Sequence, residues 1–340
     1  MKLSIIIPCY NCRKTIARLL NSIIQNGWDK EDYEVIVCDD KSTDGFLDVV
    51  RTYEEQINFI YCETTRDVHC PGNTRQAALQ YVTGEWFTFI DNDDMFEVDA
   101  FNKVFNYIEQ HQDAYVVATD FREYFVESES YGRVFEGGDA ITWLHGKFYN
   151  KAKILDEFGT HFEDDLFSHE DVYFNSYIVA RLVSMQIDYD YYKIYTYKWV
   201  CNPESLSRSY FSKDHFYIET YLADYLHAAS YPFFPMLTED ATQYQKEFCI
   251  ARIMSTLLHG YFYYQAAVWR LGPTGTLDEA YIALKHYKRK MMEELHINDW
   301  DIIYYVYNDP KTYDSIKEKC KPGSCHFVEL VSFRDFILNL

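Results

Sequence analysis

Five short apolar runs, rich in β-branched and aromatic residues, recur along the first 120 residues. They lie at residues 3–8, 33–38, 57–61, 86–90 and 115–119. A continuous apolar run of this length predicts a strand that is buried on both faces. The intervening segments carry apolar residues at helical spacing and cover residues 13–26, 44–55, 73–82 and 98–111. Strands that alternate with helices predict an α/β fold with a mostly parallel sheet and helices on both faces.

The pattern changes after residue 120. We expect a polar-faced hairpin, a short strand, a helix and two tyrosine-rich strands, at residues 121–137, 145–150, 171–181 and 184–200. Further on, helical periodicity predominates at residues 216–229, 239–269 and 276–295 and in a last amphipathic stretch that ends at Leu340. The polar, turn-forming segment CNPESLSRSYFSK lies between the two regions. The chain is therefore predicted to contain an α/β domain at residues 1–212 and a mainly α-helical domain at residues 213–340.

The charge balance limits the classes of partner. The chain has 32 Lys and Arg against 53 Asp and Glu, a net charge of −21. Long-range repulsion disfavours nucleic acid or an anionic membrane as the default partner, although a local basic cluster can override it. No apolar stretch has the roughly 20 residues of a membrane span, and the chain opens on a strand pattern rather than a signal peptide. We therefore expect a cytoplasmic protein.

The nine cysteines are scattered without paired spacing, which favours reduced thiols. Cys9 and Cys12 form a CxxC motif after the first predicted strand, so a metal or redox site is one interpretation. No second CxxC or pair of histidines follows it. An ordinary loop is the other interpretation.

The stretch FIDNDDMF places three acids and an asparagine directly after an apolar strand. Ligands of parallel sheets bind at the carboxyl ends of the strands. Carboxylates clustered there repel one another unless a cation is present, and a hard divalent cation prefers such oxygen ligands. The alternative is a turn of Asp and Asn residues that leads into the next helix.

A second acidic group, Glu170 and Asp171, lies at the start of a predicted helix. Acids in this position are ordinary at a helix N-terminus. They can also provide the general base that deprotonates an alcohol.

Seven short motifs follow one another in an order that resembles the inverting family 2 glycosyltransferases, which have the GT-A fold. They are SIIIPCYN, VCDDKSTDG, GNTRQAAL, GEWFTFIDNDD, HGKFY, HEDVYF and SLS. Together they span about residues 3–208, and the last third of the chain lies outside the resemblance. The resemblance implies a Rossmann-like, mixed but mostly parallel sheet, followed here by a mainly α-helical C-terminal region.

The resemblance also implies roles for individual residues. Those implied to bind the nucleotide are Pro8, Tyr10, Asn11, Asp39, Arg75, Asp91 and Asn92. Asp39 is implied to read the N3–H of a uracil, Arg75 to contact the base or diphosphate, and Asp91 to face the ribose. Lys41 stands where a glycine is usual, which could narrow the base pocket, and Gln76 stands where the family commonly has Asn.

The remaining implied roles concern the metal, the sugars and the base. Asp93 is the implied ligand of Mn²⁺ or Mg²⁺, and His215 is a second candidate that could instead be structural. Asp171 matches the catalytic base, with Glu170 as its partner, and the resemblance does not decide which acid takes the proton. Residues implied to face the donor or acceptor sugar are Asp94, Trp143, His145 and Arg208.

The expected activity is metal-dependent inverting transfer of a sugar from a nucleotide donor to a hydroxyl group. The resemblance favours UDP-hexose or UDP-N-acetylhexosamine as the donor, and a cell-envelope glycan, polymer or lipid-linked saccharide as the acceptor. Transfer to hydroxylated DNA bases, as in a phage enzyme, and a non-catalytic glycan- or nucleotide-binding module stay open as alternatives. The basic run at residues 285–290 is either a solvated helix face or a contact with an anionic partner, which could be the inner face of the membrane, a teichoic-type polymer or modified DNA. A homo-oligomer also stays open.

Overall fold

The computed structural model describes residues 1–66, 69–137, 142–164, 166–202, 215–271, 278–308 and 330–340. The side chains of residues 215–219, 266, 269–271 and 330–332 are outside this description. The chain divides into two compact units, residues 1–203 and 204–340.

The first unit is built on one mixed sheet of nine strands. The strands are β1 Leu3–Cys9, β2 Tyr33–Asp39, β3 Phe59–Glu63, β4 Trp86–Phe89, β5 Met95–Phe96, β6 Val116–Phe125, β7 Ser130–Phe135, β8 Lys147–Asn150 and β9 Asp190–Val200. Their order is β3-β2-β1-β4-β8-β6-β9-β5, with β7 on β6. The first four are parallel, β8 is antiparallel to both of its neighbours, and β6 and β9 are again parallel. The predicted α/β class and mixed sheet are confirmed.

Helices cover both faces of the sheet, as predicted. They are α1 Ile16–Ile24, α2 Phe46–Arg51, α3 Pro71–Leu79, α4 Ala100–Gln110 and α5 Glu170–Met185, with a π-helical turn at Ala152–Glu157. Apolar residues of α1, α2 and α4 belong to one buried cluster, and those of α3 and α5 belong to another. Strands β1, β2 and β4 therefore bury side chains on both faces, which explains their continuous apolar runs, whereas β7 is mostly exposed.

One prediction for this unit is wrong. Residues 184–200 form the end of α5 and one strand, β9, rather than two strands. Helix α5 continues to Met185 and ends at Gln186, whose left-handed φ of 59° stops it. The predicted hairpin is confirmed as β6 and β7, and the short strand as β8.

The second unit is helical, as predicted. Its helices are α6 His215–Ser230, α7 Gln243–Leu271, α8 Asp278–Leu295, α9 Asp299–Asn308 and α10 Leu330–Asn339, with a 3₁₀ helix at Tyr231–Met236. Among the helices that the structure describes, none combines the length and the hydropathy that a bilayer crossing requires.

The basic run at residues 285–290 is not a single solvated face. The Lys288 side chain is buried, donates to the Ile337 carbonyl oxygen at 2.6 Å and pairs with Asp299 at 3.0 Å. The ammonium of Lys290 lies 4.7 Å from the ring centre of Tyr231. Two of its cations therefore stabilise the second unit itself.

Candidate functional site

The motif residues of the first unit gather where parallel strands β1, β2 and β4 end. Three loops follow these strands, at residues 10–15, 40–45 and 90–94. Carboxyl ends of adjacent parallel strands lie at one edge of a sheet, so the loops are neighbours. This edge of the sheet is the candidate site.

Asparagine side chains tie the three loops together. Asn11 has a left-handed φ of 51°, and its side-chain oxygen accepts a hydrogen bond from the Thr43 N–H at 2.9 Å. The Asn11 N–H donates to the Ser42 hydroxyl at 2.9 Å. Asn92 donates to the carbonyl oxygen of Pro8 at 2.9 Å. Asn11, Asn92 and Pro8 therefore shape the floor of the site, and their contact with a nucleotide stays a prediction.

Cys9 and Cys12, which lie on either side of Tyr10 and Asn11 in the sequence, are buried in the core. Their burial favours the loop interpretation of the CxxC motif over an accessible redox centre.

Asp39 lies at the end of β2 and is buried. One carboxylate oxygen accepts from the Ser42 N–H at 2.9 Å, and the other accepts from the Tyr61 hydroxyl at 3.0 Å. The same hydroxyl lies 2.5 Å from Glu63. Each carboxylate oxygen has a second lone pair, so Asp39 can still accept a hydrogen bond from a ligand.

Beside Asp39, the exposed ring of Tyr10 lies 4.8 Å from the ring of His69. His69 Nδ1 is 3.3 Å from the buried carboxylate of Asp40, whose pKa is raised by burial. The sequence pointed to Tyr10 but not to the pair of Asp40 and His69, because these two residues are 29 positions apart with strand β3 between them.

Arg75, in α3, joins the two acidic groups of the site. Its guanidinium donates to Glu170 at 2.5 Å through one terminal nitrogen and to Asp91 at 2.6 Å through the other. Arg75 is 6% exposed and Glu170 is 9% exposed, so water screens this ion pair little, whereas the Asp91 side chain is 37% exposed. Burial favours a higher pKa for Asp91, but Arg75 and His145 outweigh it and hold that pKa below its usual range.

Glu170 is held closely against α3. A Cβ atom at Gly72 would lie only 2.9 Å from the Cβ of Glu170, so glycine permits this approach. Burial raises the pKa of Glu170 and Asp171 adds to this effect, while Arg75 opposes both, and together they raise the pKa to about 7.

Asp94 is almost fully buried and accepts hydrogen bonds from the Tyr197 hydroxyl and, at 2.7 Å, from the Val200 N–H. Its pKa is raised by burial and by the neighbouring acids. His145 Nε2 lies 3.8 Å from Asp94 and 3.7 Å from Asp91. Asp91, Asp94 and His145 each offer a ligand atom, and these atoms all lie within 4.8 Å of one another.

These three residues fit a divalent metal. Two carboxylate oxygens and an imidazole nitrogen suit Mn²⁺ well, whereas Mg²⁺ favours oxygen ligands. His145 Nδ1 is buried and has no hydrogen-bond partner among the described residues.

Asp93 was the metal ligand expected from the sequence, and it is outside the group of three. Its side chain lies 3.5 Å from the Asn202 amide, its backbone carbonyl accepts from Arg18, and burial and Asp91 raise its pKa. Metal binding by Asp93 stays a prediction.

Asp171 is half-buried in the first turn of α5, where one carboxylate oxygen accepts from the adjacent Val172 N–H at 2.8 Å. The residue before the pair, His169, has a left-handed φ of 59°, and burial lowers its pKa to about 4. Glu170 and Asp171 therefore differ in their partners, because Glu170 pairs with Arg75.

Trp143 packs against Phe121 at a ring distance of 5.4 Å, and its carbonyl accepts from Asn175 and Lys147. Sugar contact by Trp143 stays a prediction. Arg208 and the side chain of His215 lie outside the described residues.

Sequence reasoning missed Tyr61 and Tyr197, which hold the two buried acids Asp39 and Asp94. Both tyrosines lie inside strands, with no motif around them. Only the register of the sheet brings them to the site.

Comparison with known proteins gives curated relatives for part of the chain. The poly(ribitol-phosphate) beta-glucosyltransferase of Bacillus spizizenii is 30% identical over 228 residues, which are 64% of this chain and 35% of the relative. The poly(ribitol-phosphate) beta-N-acetylglucosaminyltransferase TarS of Staphylococcus aureus is 30% identical over 227 residues, 64% of this chain and 39% of the relative. The chain thus spans less than half the length of either relative.

Comparison with solved structures supports the fold. The crystal structure of S. aureus TarS 1–349 superposes with a TM-score of 0.59 at 20% identity, covering 95% of this chain and 92% of that chain. The mannosyltransferase PcManGT from Pyrobaculum calidifontis, in complex with GDP-Man and Mn²⁺, gives a TM-score of 0.52 at 15% identity, covering 86% and 84%.

Residues 4–167 match the family model described as Glycosyl transferase family 2. Together with the ordered motifs and the relatives, this match identifies residues 4–167 as a glycosyl transferase family 2 domain, and the mixed sheet has the GT-A fold.

Proposed function

We propose that this protein is an inverting glycosyltransferase that moves a sugar from a UDP-linked donor to a hydroxyl group of a cell-envelope polymer. One observation carries the proposal: a single buried arginine, Arg75, joins the acidic loop after β4 to the acidic start of α5. The reaction needs a group that stabilises the leaving diphosphate and a base for the attacking hydroxyl. A cation held by the acidic loop can meet the first need, and a carboxylate at the start of α5 can meet the second.

The donor nucleotide is proposed to lie across the loops after β1 and β2. Asp39 retains the lone pairs to accept the N3–H of uracil, and Tyr10 offers an exposed ring beside the same loop. One solved structure of TarS 1–349 is a complex with UDP-GlcNAc. We extend the choice of a UDP-sugar to this chain on that basis.

Asp171 is the proposed base. Glu170 is held by Arg75, whereas the described hydrogen bond of Asp171 uses only one oxygen, through the backbone of its own turn. The Asp171 carboxylate takes the proton of the acceptor hydroxyl while the hydroxyl oxygen bonds to the anomeric carbon. The bond from that carbon to the diphosphate oxygen breaks on the opposite side, so the anomeric configuration inverts.

A divalent cation is part of the proposal. Asp91, Asp94 and His145 would hold Mn²⁺ or Mg²⁺, with Asp93 as the further ligand that the resemblance implies. When bound, the cation supplies a Lewis acid for the charge of the diphosphate.

The proposed acceptor is a hydroxyl-bearing polymer with phosphate in its backbone, because two relatives are named poly(ribitol-phosphate) glycosyltransferases. A lipid-linked saccharide is the second candidate, favoured by a 27% identical E. coli relative named as a glucosyltransferase acting on a diphosphoundecaprenol-linked sugar. Such acceptors agree with the cytoplasmic location that the sequence predicts. Hydroxylated DNA fits less well, because neither of the two poly(ribitol-phosphate) relatives is named for transfer to DNA; the net charge of −21 opposes either polyanion at long range.

Release of nucleoside diphosphate tests the proposal. We would incubate the protein with UDP-, GDP- and CDP-sugars in Mn²⁺, Mg²⁺ or EDTA, with and without poly(ribitol phosphate). We expect metal-dependent release from one UDP-sugar, and a loss of about 10²- to 10⁴-fold in Asp171→Asn because the base is removed. Asp188→Asn changes an exposed acid just beyond α5 and is the matched control.

Asp93→Ala, measured in the same assay, tests whether Asp93 contributes to the metal site. Full activity in Asp171→Asn would contradict the role of the base. The absence of release and of donor binding with every metal would leave the non-catalytic binding module as the better interpretation.

A further inference from the structure

A second cluster of chemically active side chains lies on strands β6, β7 and β9. It contains two cations and three tyrosines from β6, β7 and β9, and we refer to it as the tyrosine platform. Its members are Arg122, Tyr124, Tyr131, Tyr195 and Lys198. The function proposed above does not yet use any of them.

Within the platform, cations and rings alternate. The Arg122 guanidinium carbon lies 3.5 Å from the ring centre of Tyr131 and 4.6 Å from that of Tyr195. The Lys198 ammonium lies 5.0 Å from the ring of Tyr124 and 5.9 Å from that of Tyr131. Cation–π contacts at these distances fix the long side chains, so the platform is ordered before a ligand arrives.

Glu97 forms ion pairs with both cations, Arg122 and Lys198. It accepts from Arg122 Nε at 2.8 Å, and its other oxygen lies 3.5 Å from Lys198 Nζ. Two cations against one acid give this cluster a net charge of +1, in a chain whose net charge is −21. The described hydrogen bond of Arg122 uses Nε alone, which leaves its two terminal nitrogens for an anionic group.

The platform is accessible. Tyr131 is 45% exposed and Tyr195 is 37% exposed, and Val134 beside them on β7 is 50% exposed. Glu97 beneath them is 8% exposed. The side chains of Arg122 and Lys198 are less open, at 25% and 11% exposed, so the exposed rings form the outer surface and Arg122 is the more accessible cation.

Strand register connects the platform to the candidate site. Tyr124 and Arg122 of β6 pair with Val200 and Lys198 of β9, and the Val200 N–H donates to Asp94. Glu97 follows Asp94 by three residues. A polymer bound on the platform would therefore lie on the same edge of the sheet as the acidic loop.

We propose that the tyrosine platform binds the acceptor as an extended polyol-phosphate chain. It would contact the polyol-phosphate repeats beside the one that reacts. The aromatic faces suit the C–H surfaces of polyol or sugar units, and the cations suit the phosphodiesters between them. A neutral glycan would use the rings but would have no need of the cations. This inference rests on the proposed function and specifies how its acceptor is held.

The test compares a long acceptor with a short one. The probes are poly(ribitol phosphate) and ribitol phosphate monomer, with the full chain as wild type, Tyr131→Ala, Arg122→Gln and Arg122→Lys. We expect KM for the polymer to rise about tenfold in Tyr131→Ala and Arg122→Gln, a loss of about 1.4 kcal/mol, with a much smaller change for the monomer. Arg122→Lys keeps the charge and should recover part of the loss. Tyr244→Ala removes a tyrosine that is 52% exposed in the second unit and is the matched control.

Three results would overturn the inference. The first is an unchanged KM for the polymer in variants that retain the wild-type circular dichroism and melting temperature. The second is equal binding of uncharged dextran, which would exclude a role for the cations. The third is stronger binding of single-stranded RNA than of poly(ribitol phosphate).

Failure of the proposed function is distinguishable from these results. If the wild type releases no nucleoside diphosphate, direct binding of poly(ribitol phosphate) by calorimetry, compared between wild type and Tyr131→Ala, still decides whether the platform binds the polymer. Equal binding by both proteins overturns the inference.

Discussion

Arg75 determines the charge balance of the candidate site at the scale of single residues. It is the shared partner of Glu170 and Asp91, although these two acids are 79 positions apart in the sequence. The pKa of Glu170 is raised to about 7, so this carboxyl changes charge within the physiological range. The strength of the ion pair between Glu170 and Arg75 should therefore depend on pH.

The first prediction concerns Glu170→Gln. Below about pH 7 the wild-type carboxyl gains a proton and its ion pair with Arg75 weakens, so release of nucleoside diphosphate should fall as pH is lowered through 7. Glutamine keeps a hydrogen-bond acceptor but cannot ionise. Its activity should be about three- to tenfold lower at pH 8 and nearly flat between pH 6 and 8. The measurement is a pH profile of donor turnover.

The same titration has a defined sign for stability. The folded-state pKa of about 7 exceeds the ordinary value of 4.5, so ionising Glu170 costs folding free energy as pH rises from 4.5 to 7. Glu170→Gln should thus lower the melting temperature less at pH 8 than at pH 5. An acidic limb near pH 7 that persists in Glu170→Gln would assign that limb to another group.

Sequence reasoning located most of the acids of the site but not the residues that hold them. Asp39, Asp91 and Glu170 stand at strand or helix ends, where local pattern predicts an exposed or capping role. Tyr61 and Tyr197 lie inside strands that otherwise look apolar, and their hydroxyls reach the acids through the sheet. A contact between residues about 100 positions apart, such as Tyr197 with Asp94, leaves no local signal.

At the scale of elements, the contact between α3 and α5 sets the position of Arg75. Gly72 is the point of closest approach, because a Cβ there would meet the Cβ of Glu170 at 2.9 Å. The sequence predicted both helices, at slightly different bounds, but could not predict how closely they approach. Packing distance depends on side chains from both helices at once.

Gly72→Ala should therefore separate the helices. The added methyl overpacks the contact, and we expect a loss of about 1 to 3 kcal/mol in the free energy of unfolding, together with weaker donor binding. Gln80→Ala adds the same residue at an exposed position just after α3 and is the control. Denaturant unfolding and donor titration measure the two effects. A free energy of unfolding equal to that of the control would show that the two helices can move apart without loss of stability.

At the scale of the whole molecule, the chain contains two compact units. Both buried clusters around the sheet are drawn from residues up to 199. The sequence anticipated the change from α/β to helical pattern, since a helical period cannot be mistaken for strand runs over more than 100 residues. It could not show which unit the implied site residues Arg208 and His215 belong to, because both lie close to the predicted domain boundary.

A shortened chain of residues 1–212 tests the proposed domain boundary. Because the sheet and its two clusters are complete within it, we expect one cooperative unfolding transition and donor affinity within a few-fold of the full chain. His215→Ala in the full chain is the companion variant, since it removes the proposed contact without removing the second unit. A shortened chain that fails to unfold cooperatively would place the boundary elsewhere.

The ion pairs of Arg75 also have an evolutionary consequence. Losing the arginine would leave two acids without their cation, which is costly in a buried site, so selection for stability alone should keep Arg75. A descendant of this protein that no longer transfers sugar would still carry it. Asp171, whose described bond is to its own helix turn, is under no such constraint. Among descendants of this protein, position 171 is where a loss of activity should become visible first.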